Sequence, residues 1–354
     1  MTSPWQPGQL LFAGFEGKSV PSELARLIEQ GRVGGVILFT RNLGDPRHVA
    51  GLVSSLRALA PQRAPLTVSI DQEGGRVQRF RSPWTQWPPM RQLGDIDDLE
   101  LTRAFADAMA LELTQLGIGL NFAPVMDVDT NPANPVIGDR SFGADAQRVS
   151  RHGVAFIERL QTLQIAACAK HFPGHGDTHQ DSHLALPRLP HDLERLRQVE
   201  LKPFVAAAEA KVAAMMSAHV VFEAVDPKRP GTLSPPVIDL LREEIGFDGL
   251  VFSDDLEMKA IADHYSPKQF VGGALEAGVD ALLVCRSFDL VTETLSRLEA
   301  LPDPTIERAV ERMVAFKAAF PPPPMPDPKS PPAAPYAEHQ ALAKRIADGI
   351  PLSR

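Results

Sequence analysis

Cysteine is nearly absent: the 354-residue chain has two, Cys168 and Cys285, each inside an apolar run that reads as a strand. Two such thiols are too few for a metal cage and read as buried and free, not as a disulfide. No apolar stretch approaches the ~20 residues that a membrane-spanning helix needs. The N-terminus, MTSPWQPGQLLFAGFEG, has no basic residue ahead of its short apolar run and soon reaches Glu16. That is not the pattern of a secretory leader, and the cytoplasm is the expected compartment. Positive charge is in deficit, with a net charge of −8, which argues against nucleic-acid phosphate and against a basic membrane patch. No G-x-G-x-x-G follows an early strand, so a dinucleotide-binding fold has little support.

What is present is an ordinary globular composition, 44% hydrophobic and 23% charged, with length for one large or two ordinary domains. Short apolar, β-rich runs alternate with longer helical patterns. Strands are expected at 10–15, 34–39, 66–72, 119–128, 165–172, 213–220, 249–255 and 280–285, with helices between them. Ser22 and Ser234 suit N-caps, and Gly246 suits a helix stop. Near-continuous apolar strands separated by helices imply parallel strands buried on both faces. Periodicity alone does not separate a barrel from an open sheet. Eight units and the placement of the polar groups favour a (β/α)8 TIM barrel over residues 1–320. The proline-rich run 321–335 reads as an extended linker, and 336–354 as a helical tail that must find a surface to pack on.

The stretch KHFPGHGDTHQDSH, residues 170–183, holds four of the ten histidines. On a continuous helix His171, His175, His179 and His183 would share one face and could form a metal ladder. Pro173-Gly174 and Gly176 argue against that helix, so we read a long loop and expect no metal. Other polar groups also follow strands directly: Asp71, Asp127, His219 and the Asp254-Asp255 pair. In a barrel these positions converge on one mouth.

The segments IDQEGGRVQRF, NPVIGDRSFG, KHFPGHGDTHQDSH and GFDGLVFSDDLEM, in that order along the chain, resemble the signatures of glycoside hydrolase family 3. The likeness extends from residue 10 to about 320 and is nearest to the single-domain bacterial β-N-acetylhexosaminidases. The resemblance implies a retaining exo-β-N-acetylglucosaminidase acting on peptidoglycan fragments, with a carbohydrate as its partner and no cofactor. It implies Asp254 as the nucleophile, with Asp255 as rival. Strand alternation is expected to turn only one of these two into the mouth.

The resemblance further implies His183 as acid/base, partnered by Asp181. Imidazole titrates near neutrality, and a neutral imidazole, unlike a carboxylate, does not repel an anionic leaving group. Asp71, Arg79, Arg140, Lys170 and His171 are implied sugar-binding residues, and His219 and Met258 are expected to line the pocket. Arg76 is expected in an ion pair, and His175 and His179 as loop scaffolding. Three other readings stay open: a β-glucosidase of the same family, a metal-dependent barrel hydrolase and a sugar-binding protein without catalysis.

Overall fold

A computed structural model describes residues 6–179, 182 and 186–352. Eight parallel strands close into a barrel: β1 (Leu11–Ala13), β2 (Gly35–Leu38), β3 (Thr67–Ile70), β4 (Leu120–Asn121), β5 (Ala166–Phe172), β6 (Ala214–Ser217), β7 (Leu250–Asp255) and β8 (Ala281–Val284). Each pairs with its neighbours in sequence, and β8 returns to β1 with Leu11 opposite Leu282. The strands are buried almost throughout, as helices on the outside and packed side chains on the inside require. Inside, Phe252 meets Phe12 and Phe122 edge to face, with ring centroids 4.9 and 5.2 Å apart.

Two departures from the sequence pattern have local causes. The fourth apolar run spans 119–128, yet only Leu120–Asn121 forms a ladder. Pro124 has no amide to donate, and the chain continues through single contacts such as Met126 N–H to the Lys170 carbonyl. The helical pattern of 191–209 is broken: after Leu193–Arg195 the turn widens, the Leu201 amide reaches back to the Leu196 carbonyl, and helix Lys202–Glu209 starts afresh with Pro203 in its first turn.

The helix Asp303–Ala319 lies across the end of the barrel where the strands begin. From it the buried Lys317 ammonium donates to Gln9 Oε1, the Gly34 carbonyl and the Pro65 carbonyl at 2.7, 2.7 and 2.8 Å. Burial pushes its pKa down to about 7, but three acceptors receive its three protons. Lys317→Met strips a donor from buried acceptors and is expected to lower stability by about 2–4 kcal/mol. Thermal melting checks this, and activity per folded molecule should hold because Lys317 stands at the far end from the mouth.

Beyond this helix the proline segment runs back along the barrel, with the Pro324 carbonyl accepting from Arg57 at 3.3 Å. The helix Ala337–Ala347 then packs on Met90–Ile96 and Leu99–Gln115. It buries Ile346, and His339 Nδ1 lies 2.7 Å from Glu112 Oε1. Among the surfaces open to the tail, the outside of the barrel is the one it uses.

Candidate active site

At the mouth, where the strands end, lies a cavity of about 260 Å³. Among the described residues, four acidic side chains line it, Asp71, Glu73, Asp254 and Asp255, along with three cations, Arg79, Arg140 and Lys170. His171, His175, Ser182, Met258, Cys285 and the Phe39 ring complete much of the wall. These groups come from separate strand ends, so the closed barrel is what assembles them.

The charges are wired together. Lys170, on β5, is 2% exposed and reaches Asp71 Oδ1 at 2.9 Å and Glu73 Oε1 at 2.7 Å. Arg79 Nη2 holds the other Asp71 oxygen at 2.9 Å, and its guanidinium lies over Phe39. Arg140 grips Glu73 through two parallel bonds of 2.8 Å. Burial alone would raise the Asp71 carboxyl, but Lys170 and Arg79 hold it well below the ordinary range. Burial would raise Glu73 too, but Arg140 and Lys170 bring it down to about 2. Both stay ionised at neutral pH.

Asp127, fully buried behind this network, accepts from the His171 amide at 3.2 Å, from His171 Nδ1 at 2.7 Å and from the His175 amide at 2.6 Å. It ties the 170–179 loop to the segment after β4. That loop is no helix. A side chain at Gly176 would meet the Val128 carbonyl at 1.9 Å, so only glycine allows this approach. The histidines therefore part company. His171 and His175 line the cavity, while His179 Nδ1 lies 3.1 Å from the Asn131 amide nitrogen. Arg76 pairs with Asp139 at 3.0 Å at the rim.

Asp254 and Asp255 close β7, and here strand alternation fails as a guide: both line the cavity. The register of β7 against β8 shifts between Phe252 and Asp255, which undoes the regular pleat. Asp254 Oδ1 accepts the Asp255 amide at 2.8 Å. Asp255 Oδ1 accepts the amides of Glu257 and Cys285, each at 3.2 Å. Burial, with Glu257 and Asp254 nearby, pushes the Asp255 carboxyl up to about 7.

A carboxyl raised above its unfolded value stabilises the fold when protonated, and this contribution is lost as pH rises through about 7. Asp255→Asn keeps the accepting oxygen and removes the charge. Its melting temperature relative to wild type should therefore be higher at about pH 8 than at about pH 5.

The His219 ring is fully buried and is not among the described groups that line the cavity. Nδ1 lies 2.9 Å from Thr232 Oγ1, and Nε2 lies 3.1 Å from the Asp255 carbonyl oxygen. The contact to the Asp255 carbonyl lets the ring steady the backbone next to Asp254. Met258 does line the cavity, at 6% exposure. Asp181 and His183 lie outside the described residues.

The residue that sequence reasoning passed over is Glu73, the anchor of both Arg140 and Lys170. Its signal was available: it stands two positions after Asp71 in an extended segment, which places the two on one face.

The model of the glycosyl hydrolase family 3 N-terminal domain matches residues 6–316. A β-hexosaminidase of Thiobacillus denitrificans is 44% identical over 273 residues, covering 75% of each chain. Among solved structures, a family 3 β-N-acetylglucosaminidase from Paenibacillus sp. is 40% identical with a TM-score of 0.90, over 97% of this chain and 68% of that one. NagZ from Neisseria gonorrhoeae, solved with N-trifluoroacetyl-D-glucosamine, is 31% identical with a TM-score of 0.79, over 96% of this chain and 97% of that one. With the barrel and its charged mouth already in view, this extent of likeness means that the chain belongs to glycosyl hydrolase family 3 and is a glycoside hydrolase.

Proposed function

We propose that this glycosidase is a retaining exo-β-N-acetylglucosaminidase that releases terminal β-linked N-acetylglucosamine from peptidoglycan fragments in the cytoplasm, with residues 1–320 as its catalytic unit. The observation that carries the chemistry is a single cavity in which Asp254 faces the Asp71–Lys170–Glu73–Arg140 network. A donor-rich wall suits a sugar's hydroxyls, and one carboxylate at a strand end suits attack on its anomeric carbon. The relatives named as β-hexosaminidases support the choice of sugar.

In the first step Asp254 forms a bond to C1 as the bond from C1 to the leaving oxygen breaks, and that oxygen takes a proton from His183. In the second, water attacks C1, His183 takes the water's proton, and the ester to Asp254 opens. Asp181 holds the imidazole in the donating form. Asp71 accepts from two sugar hydroxyls, while Lys170, Arg79, Arg140 and His171 supply donors. Arg79 Nε is buried and has no hydrogen-bond partner among the described residues, which keeps one donor unspent. Met258 packs against the sugar's apolar side.

Hydrolysis of a chromogenic β-N-acetylglucosaminide and the matching β-glucoside tests the reading. The expected result is a preference for the first of about 100-fold or more, since a site that hydrogen-bonds a substrate's amide leaves its own buried groups unpaired with an analogue that lacks it. Preference for the glucoside would make the enzyme a β-glucosidase instead.

A further inference from the structure

His175 has a position that loop scaffolding alone does not explain. The ring is 2% exposed and forms part of the cavity wall. Its amide is fixed by Asp127 at 2.6 Å, and its carbonyl accepts from Asn134 Nδ2 at 2.8 Å. The ring itself joins two residues of the same loop. Nδ1 lies 2.7 Å from Thr178 Oγ1, and Nε2 lies 2.9 Å from Ser182 Oγ. Either neutral tautomer satisfies both contacts, because each partner is a hydroxyl that donates or accepts. Burial, together with His171, pushes the His175 pKa down to about 4, so the ring is a neutral strut at working pH and not a proton carrier.

Ser182 is held at a second point as well. It is 1% exposed, and its carbonyl accepts the Ala260 amide at 3.2 Å, which joins it to the segment that follows Asp254 and Asp255. In sequence Ser182 stands between Asp181 and His183, the two residues of the proposed acid/base pair.

We propose that His175 is a positioning residue for proton transfer, acting through Ser182. The inference rests on the assignment of His183 as acid/base made above. A bond from a rigid ring to the Ser182 hydroxyl limits how far a covalently adjacent residue can stray, since adjacent Cα atoms are only ~3.8 Å apart. The strut is anchored by Asp127, which also orients His171, so the acid/base segment and the sugar-binding wall share one buried carboxylate.

A residue that acts on the proton donor shows itself in leaving-group dependence, which a general loss of structure does not produce. The experiment compares kcat/KM for a 2,4-dinitrophenyl and a phenyl β-N-acetylglucosaminide across four variants. Dinitrophenolate departs without a proton, whereas phenolate needs one. Ser182→Ala and His175→Asn, whose short amide reaches Thr178 but not Ser182, should lose about 10- to 100-fold on the phenyl substrate and less than about threefold on the dinitrophenyl one. His175→Gln places an amide near the position of Nε2 and should recover most of the phenyl activity. His183→Ala should show the same pattern more strongly.

Equal losses on both substrates, or none, in Ser182→Ala and His175→Asn would overturn the inference while His183→Ala still shows leaving-group dependence. If His183→Ala lacks that dependence too, the acid/base assignment and this inference fall together.

Discussion

Asp254→Ala is expected to lower kcat on a β-N-acetylglucosaminide by about 10⁴-fold or more, with melting temperature close to wild type. That is about 5.5 kcal/mol of lost transition-state stabilisation. The carboxylate sits at the end of β7, lines the cavity and lies half-buried, so its removal deletes chemistry more than packing. Its hydrogen bond to the Asp255 amide is local and surrenders little stability. The variant also offers a positive result. Azide fits the space that the carboxylate leaves and attacks C1 from the same face, so added azide should restore turnover and give the α-glycosyl azide. Product stereochemistry by NMR reads this directly. Activity within tenfold of wild type would mean that another group attacks C1, and Asp255 is the neighbour placed to do so.

Lys170→Met is expected to give the largest loss of stability, about 3–5 kcal/mol, because it removes one partner of a buried ion network. Lys170 is the one ammonium shared by Asp71 and Glu73, and both carboxylates are then left facing each other with a single guanidinium apiece. The loss should depend on pH with a definite sign. Carboxyls held below their ordinary values contribute stability that is present above those values and is lost as pH falls. Glu73 lies at about 2 in the wild type and Asp71 is also held low, so their contribution survives to strongly acidic pH. In the variant both are less depressed. The gap in melting temperature between variant and wild type should therefore narrow as pH is lowered from about 7 towards about 4. Lys170→Arg should not restore the wild-type value, because a planar fork does not fit a site built around one point charge. A constant gap across this range would show that the network is not what Lys170 stabilises.

The sequence was most legible where one physical rule dominates. Continuous apolar runs such as 165–169 and 281–285 need burial on both faces, and they fall in β5 and β8. Strand-end polar residues point to the mouth, and Asp71, Lys170, His171 and Asp254 all line its cavity. Legibility ended where the outcome depends on register. The paired aspartates share one cavity because β7 slips against β8, which no residue type announces. His219 follows a strand like the others, but its ring is fully buried between Thr232 and the Asp255 carbonyl, contacts that form only in the folded barrel. Glu73 was hidden in a motif read for its neighbours. Its importance comes from two cations, Arg140 and Lys170, that lie 67 and 97 positions away in the chain and meet it only once the barrel closes.

In the proposed mechanism Asp254 becomes covalently bound to the sugar. The most direct measurement uses a 5-fluoro-N-acetylglucosaminyl fluoride, in which fluorine at C5 destabilises the positively charged transition states of both steps while fluoride leaves without an acid. The glycosyl-enzyme should then accumulate. Mass spectrometry of the intact protein, followed by peptide mapping, should find one sugar on the peptide that contains GLVFSDDLEM, with fragmentation placing it on Asp254. A label on Asp255, or turnover with inversion and no covalent adduct, would contradict the account.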